Sequence, residues 1–134
     1  MKKCRLSLHI THWVFADVAL TRTCELSYDG TDPLAITMTF DTCRERPVRW
    51  ILSRELLAEG LVDPVGEGDV RIWPVHDRDG GLTSFRVRLG NTRTALMEFD
   101  AEPVVNWLAR TYRMVPRGTE LNGVDWDELV QPVD

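Results

Sequence analysis

The sequence lacks the features on which several classes of protein depend. No apolar run approaches the roughly 20 residues that a membrane-spanning helix needs. Residues 1–3 are basic at two positions, but polar side chains alternate with apolar ones in the residues that follow, which is a poor signal-peptide core. These absences predict a cytoplasmic protein without a transmembrane segment.

Cysteine is scarce, and its spacing excludes the usual cysteine chemistry. The three cysteines, Cys4, Cys24 and Cys43, are widely separated and form no C-x-x-C pair. An odd number at such spacings indicates neither a disulfide framework nor a zinc site. We expect each to be a small buried or half-buried hydrophobic residue.

Residues that could carry out catalysis are also few. None of the four serines lies in a G-x-S-x-G elbow. His9 and His12 are three apart, so a strand would direct them to opposite faces. His76 lies in an Asp- and Gly-rich turn, where a solvated loop is the simpler interpretation. The sequence therefore predicts a non-enzyme that needs no metal or cofactor.

The charge distribution argues against a nucleic-acid partner. The formal net charge is −5. All sixteen Lys and Arg residues, and sixteen of the twenty-one acidic residues, lie at or before Arg117. The chain up to Arg117 is thus neutral, and the five acidic residues after it account for the net charge. Binding to nucleic acid depends on neutralised phosphates, so this balance makes nucleic acid an unlikely partner.

Apolar residues alternate with polar ones in short segments along the chain. A chain of 134 residues suits one domain, residues 1–134. Seven segments have the period-2 pattern of strands: 4–11, 20–28, 34–40, 48–52, 69–74, 84–89 and 95–99. Their tight connections favour a largely antiparallel, barrel-like sheet. Together with a short helix between strands 4 and 5 and a long C-terminal helix, this predicts an α+β fold.

A short helix is predicted between the fourth and fifth strands. Ser53 suits the N-cap, and Glu55 in the first turn complements the helix dipole. Gly60 is expected to end the helix with a positive φ, and Leu61 to pack back on Leu56 in a Schellman-type stop.

The main helix is predicted to follow Asp100, its expected N-cap, and to stop at Pro116. Apolar residues at helical spacing mark its buried face: Val104, Trp107, Leu108, Thr111, Tyr112 and Val115. A last short helix over 125–131 would place Trp126 against the rest of the domain.

Five tryptophans are many for this length. The spacing of Trp50 and Trp107 with other apolar residues predicts that both fill the core. Trp73 differs, because it shares a strand face with Arg71, opposite Val70 and Ile72. Trp and Arg are enriched in interfaces, so this face is a candidate partner contact, which Arg86 and Arg88 could join. A solvated sheet face is the alternative.

Four segments at their observed order and separation resemble one known family. They are Tyr28–Phe40 (YDGTDPLAITMTF), Trp50–Leu61 (WILSRELLAEGL), Gly66–Pro74 (GEGDVRIWP) and, more weakly, Val104–Glu120. On these residues the chain resembles the SsgA-like (SALP) sporulation and cell division proteins of actinobacteria, and most closely their SsgB-type members. The resemblance covers roughly Leu20 to Val130.

The resemblance implies properties that the residue patterns alone do not. It implies a regulator of sporulation-specific cell division, without enzymatic chemistry, that helps to localise FtsZ and septum assembly together with SsgA-type proteins. It also implies a homotrimer with a Whirly-like fold, recruited to the division septum. The family-motif positions that could also bind a partner are Trp50, Leu56, Leu57, Glu59, Gly60, Leu61, Gly66, Gly68, Asp69, Val70, Arg71, Trp73 and Pro74.

Two functions therefore remain open. The first is an adaptor that positions the division machinery through protein–protein contacts. The alternative is a single-stranded nucleic-acid-binding module, since aromatic stacking beside basic side chains is how single strands are held. The neutral main part of the chain favours the adaptor.

Overall fold

The computed structural model describes residues 2–41 and 45–123 and confirms an α+β architecture. Within these residues the chain forms eight strands and two helices. In chain order they are β1 (Lys3–Phe15), β2 (Val18–Asp29), β3 (Ala35–Phe40), β4 (Val48–Ser53), α1 (Arg54–Gly60), β5 (Val65–Glu67), β6 (Val70–His76), β7 (Leu82–Gly90), β8 (Thr94–Asp100) and α2 (Ala101–Met114).

All strand pairings in the sheet are antiparallel, as predicted. The strand order is β4-β3-β2-β1-β8-β7-β6-β5. Two four-stranded meanders therefore lie side by side, and each is followed in the chain by a helix. They join where β1 pairs with β8, through the three register pairs of residues 11–13 with residues 96–98.

The sheet is curled, in agreement with the predicted barrel-like shape. Phe40 of β3 and Phe99 of β8 are not on neighbouring strands, yet their rings meet edge to face with centroids 6.5 Å apart. Residues of β4 and of the β5–β6 turn line one common concavity. The two ends of the sheet thus approach each other, although the likeness to the Whirly fold stays a prediction.

The core lies between the concave face of this sheet and α2. Val104, Trp107, Leu108 and Thr111 of α2 are buried, which confirms the predicted helix face. Asp100 is the N-cap residue, but its side chain makes no capping hydrogen bond. The position of the helix start was therefore predicted correctly, while the expected cap contact is absent.

Helix α1 begins as predicted and ends for a different reason. The Ser53 hydroxyl accepts a hydrogen bond from the Leu56 amide at 3.1 Å. The prediction of a positive φ at Gly60 was wrong, because Gly60 is a helical residue and the C-cap Leu61 has an αR conformation with φ of −77°. Gly60 is instead required by packing, since a Cβ would overlap Ile72.

The prediction of seven strands missed β5. Gly66 lies within this strand, and the turn to β6 contains only Gly68 and Asp69. Gly68 has a φ of +58°, as the first central residue of a type II′ hairpin requires. Three residues are too few to show an alternating pattern, so β5 could not be predicted from the sequence.

The structure also settles several smaller predictions. Cys4 and Cys24 are buried, as expected, and burial raises the pKa of the Cys24 thiol to about 12. Cys43 and the helix predicted over 125–131 lie outside the described residues. Within the described part of the chain, no helix is both long and apolar enough to span a bilayer.

Candidate functional site

The outward side of β6 and β7 carries the residues that the sequence singled out for partner contact. Arg71 lies opposite Arg88 in the sheet register, and Trp73 lies opposite Arg86. On the other side of the same strands, Ile72 is fully buried. The four outward residues therefore form one surface, here called the Arg71 face.

A groove runs from the Arg71 face to the edge strand β5. Its volume is about 630 Å³. It is lined by Arg71, Trp73, Pro74, His76 and Arg88 on one side, and by residues 62–66 on the other. We call it the β5 groove. It combines apolar walls with two cations, a composition that ligand-recognition sites share.

Arg71 reaches the edge of the sheet across a glycine. Its Nη1 donates to the carbonyl oxygens of Gly68 and Val70, both at 3.2 Å. The same side chain covers Gly66, where an added Cβ would lie 2.8 Å from Cζ of Arg71. Glycine at position 66 therefore allows the guanidinium to extend beyond its own strand.

Arg88 is exposed and, within residues 2–41 and 45–123, neither it nor Arg71 forms an ion pair with a carboxylate. Like charges directly opposite each other on neighbouring strands destabilise a sheet. The Arg71–Arg88 pair is therefore a close pair of like charges without a direct carboxylate partner among the described residues.

Arg86 differs from Arg71 and Arg88, because its charge is already neutralised. Its Nε donates to Glu98 at 2.9 Å, and its guanidinium lies 5.4 Å from the centre of the Trp13 ring. The suggestion that Arg86 could join a partner contact is therefore weakened. Arg88 and Arg71 remain as the available cations.

Glu98 is the centre of this second cluster. Its carboxylate accepts hydrogen bonds from Trp13 Nε1 at 2.9 Å, Ser84 Oγ at 2.6 Å and Arg86 Nε at 2.9 Å. Burial would raise the pKa of Glu98, but the three donors and the positive charge of Arg86 outweigh it and lower the pKa below its ordinary value. The cluster joins β1, β7 and β8 on the outer side of the sheet.

The thirteen family-motif positions divide into packing and surface residues. Five are buried and support the fold: Leu56, Leu57, Gly60, Leu61 and Val70. Gly66, Arg71, Trp73 and Pro74 line the β5 groove. Trp50, predicted to fill the core, is only half-buried and lines a second concavity of about 420 Å³ with Gly68 and Asp69. Glu59 is exposed and lines a third concavity together with Arg117.

Sequence reasoning missed Arg54, the most deeply buried charged residue described. Arg54 is 1% exposed, lies between the rings of Tyr28 and Tyr112, and donates to the Thr111 carbonyl at 3.0 Å. Its Nη2 also meets Glu120 at 3.2 Å. A first-turn arginine is ordinarily exposed, and its partners are distant in sequence, so no local signal marked it. Its role is to join α1, α2 and the segment after α2.

The tip of the β1–β2 hairpin is an apolar surface. Phe15 is 69% exposed, and Val14, Val18 and Leu20 are also exposed. Exposed apolar groups that lie together mark an interaction surface more often than groups scattered singly. We call these four residues the hairpin tip.

Within the described ranges, no group of three or more His, Cys, Asp or Glu side chains is arranged to hold a metal ion. The Arg71 face and the β5 groove present two cations, an indole ring and an adjoining strand edge.

Comparison with known proteins finds relatives that match most of the chain. The family model described as "Streptomyces sporulation and cell division protein, SsgA" matches residues 23–120. The sporulation-specific cell division protein SsgB of Streptomyces coelicolor is 38% identical over 90% of this chain and 88% of its own. The SsgB protein of Thermobifida fusca is 39% identical over 76% of this chain and 73% of its own.

Solved structures show the same fold. One comes from work on SsgB mutations that correlate with longitudinal cell division during sporulation of Streptomyces coelicolor. It superposes with a TM-score of 0.82 at 37% identity, over 90% of this chain and 94% of that one. An SsgA-like sporulation-specific cell division protein from Thermobifida fusca gives 0.83 at 31% identity, over 96% of this chain and 93% of that one. The chain belongs to the SsgA family of sporulation and cell division proteins, and its similarity is to SsgB-type members.

Proposed function

We propose that this protein is a non-enzymatic adaptor in sporulation-specific cell division, which helps to localise FtsZ and septum assembly through protein–protein contacts. The family assigns the role in sporulation-related division. The observation that carries the adaptor function is the β5 groove, where Arg71 and Arg88 are exposed and Trp73 is half-buried.

The relative in Streptomyces coelicolor supports a role in placing the division plane. Mutations in that SsgB protein correlate with longitudinal cell division during sporulation. A surface that binds the division machinery and orients it would account for such an association. In this proposal, the chain acts at the septum with an SsgA-type protein as a second partner.

We further propose that the adaptor is a homotrimer. The apolar hairpin tip, with Phe15 and Val18 exposed, is the surface that another copy would cover. A trimer would present three β5 grooves together, and linked weak contacts can bind far more tightly than one contact alone.

Co-sedimentation with polymerised FtsZ tests the proposal. The purified protein, alone and with an SsgA-type protein, is centrifuged with FtsZ filaments formed in GTP. We expect it in the pellet in at least one of the two mixtures. Its absence from both pellets would contradict the adaptor function.

A pair of matched variants links the result to the surface. Trp73→Ala removes the half-buried ring from the β5 groove and should reduce the pelleted fraction. Ile51→Ala also removes an exposed apolar side chain, but on β4, and should leave pelleting unchanged. Circular dichroism verifies that both variants are folded.

A single-stranded nucleic-acid-binding module remains the second candidate, because Trp73 lies beside Arg71 and Arg88. Stacking on aromatic rings within a basic groove is the usual means of holding single strands. Titration with oligonucleotides at low and high salt tests it, since such binding weakens steeply as salt rises. Salt-sensitive binding that Trp73→Ala abolishes would favour this candidate.

A further inference from the structure

The β5 groove lies along an unpaired edge of the sheet. β5 is the last strand in the sheet order, so one side of residues 65–67 has no neighbouring strand among those described. Edge strands present backbone donors and acceptors to which an extended peptide can add. Residues 65 and 66 of this edge strand also line the groove, so a peptide strand added at the edge would border it.

The sheet register fixes which side chains such a strand would meet. Gly66 is opposite Arg71, and Arg71 is opposite Arg88. Since the Arg71 guanidinium covers Gly66, it extends towards the position that an added strand would occupy. A peptide residue in register with Gly66 would therefore meet a cation whose charge no carboxylate among the described residues neutralises.

A second position in the groove is apolar. Side chains two residues apart along a strand point to the same face. Trp73 is two residues from Arg71 on that face and lines the groove together with Pro64 and Pro74. A peptide side chain two positions away from the first would thus meet an indole ring and proline rings.

From these relations we propose that the β5 groove binds an extended segment of a partner protein by strand addition to β5. The segment carries a carboxylate opposite Gly66 and an aromatic or large aliphatic side chain two positions away. This proposal rests on the proposed adaptor function, for which it supplies the chemistry of the partner.

The charges around the groove favour a peptide over nucleic acid. Asp63 lines the groove, Glu67 lies on β5, and Asp69 follows in the turn. These carboxylates lower the positive potential around the two arginines, so the surface offers little of the extended positive charge that a phosphate backbone needs. A single carboxylate on a peptide needs only the local cation pair.

Fluorescence anisotropy on the full chain tests the proposal. The probes are capped, fluorescein-labelled Gly/Ser peptides of about ten residues with a central Asp-x-Phe or Phe-x-Asp, since a strand can add in either direction. The matched peptide has Asn in place of Asp. We expect at least one acidic probe to bind saturably and the Asn peptide to bind about tenfold or more weakly, because a charge-assisted hydrogen bond is lost.

Two protein variants with the same change of charge locate the site. Arg71→Gln should weaken binding of the acidic probe about tenfold or more. Arg110→Gln removes an exposed arginine from α2, far along the chain from the groove, and should leave affinity unchanged.

A second pair of variants tests the position of the Arg71 side chain. Gly66→Ala, which displaces that side chain, should weaken binding of the acidic probe, whereas Gly123→Ala should leave it unchanged.

Three results would overturn the proposal. The first is the absence of saturable binding of either acidic probe up to 1 mM, and the second is an equal loss in Arg71→Gln and Arg110→Gln. The third is Arg71-dependent binding of an oligothymidine instead of the peptides, which would assign the groove to nucleic acid.

This test can fail independently of the proposed function. If the purified protein binds the acidic probe but does not sediment with FtsZ in either mixture, the groove assignment stands and the adaptor function fails. If the protein sediments with FtsZ but binds neither probe, the adaptor function stands and its partner uses another surface.

Discussion

Gly60 of α1 packs directly against Ile72 of β6, and this contact leaves no room for a side chain at position 60. A Cβ on Gly60 would overlap Cγ2 of Ile72 and lie 2.6 Å from its Cβ. Ile72 is fully buried and β-branched, so it cannot move aside easily. The glycine therefore fixes the approach of α1 to the sheet beside the β5 groove.

We expect Gly60→Ala to destabilise the protein. Overpacking costs about 1–3 kcal/mol, whereas alanine improves helix propensity by about 1 kcal/mol, so the steric cost prevails. Urea denaturation should show a lower midpoint. Gly123→Ala is the control, because nothing lies within 4 Å of the Cβ it would add. A Gly60→Ala midpoint at or above that of the wild type would show that the contact relaxes freely.

We expect Arg54→Met to destabilise the protein by at least about 2 kcal/mol. The Thr111 carbonyl would lose its guanidinium donor, and the stacking between Tyr28 and Tyr112 would be lost. Arg49→Met, at an exposed position on β4, should change the free energy of unfolding by only about 0.5 kcal/mol. Equal denaturation midpoints for the two variants would contradict a structural role for Arg54.

The stability contributed by Glu98 should depend on pH. Its pKa is lowered in the folded state, so its contribution is complete above the unfolded pKa of about 4.3 and is lost as pH falls through the folded pKa. The difference in unfolding free energy between wild type and Glu98→Gln should therefore be constant near neutral pH and shrink in acid. Urea denaturation over a series of pH values measures it.

Trp13→Phe provides the control for this titration. It removes one of the three hydrogen bonds that lower the pKa of Glu98, so the folded-state pKa rises towards the unfolded value. The total loss of stability in acid should therefore be smaller than in the wild type and complete at a higher pH, while its onset near the unfolded pKa stays the same. An unchanged total loss would mean that the indole does not stabilise the carboxylate.

The proposed trimer predicts that Phe15→Ser changes the oligomeric state without loss of folding stability. Phe15 is 69% exposed, so the substitution removes apolar area from the hairpin tip but not from the core. Light scattering should give a smaller mass than for the wild type. Val62→Ser, equally exposed at 69%, should keep the wild-type mass. A monomeric wild type would contradict the proposed trimer.

The sequence pattern predicted those features that depend only on residues close together in the chain. The cap at Ser53 depends on residues within one turn, and the alternation in β3 is complete enough to show its buried face. The Arg71–Trp73 face followed from period 2 alone. Its pairing with Arg88 requires the register between β6 and β7, which no single strand contains.

The residues that sequence reasoning misjudged are those whose environment comes from elsewhere in the chain. Arg54 is buried by Tyr28 and Tyr112, which precede and follow it at a distance. The sequence pattern assigned Gly60 to the end of the helix, where glycine can adopt a positive φ. The structure shows a different reason for glycine at this position, which is the close packing of Ile72 from β6.

The narrow junction between β1 and β8 has a consequence for how the molecule is assembled. Each meander is built from neighbours in the chain, whereas the junction joins residues 11–13 to residues 96–98 and closes a loop that includes most of the protein. Ordering so long a loop is slow, because its entropy is lost before any contact compensates for it. We expect the two meanders to form first and to dock late in folding, with the Trp13–Glu98 hydrogen bond among the last contacts made.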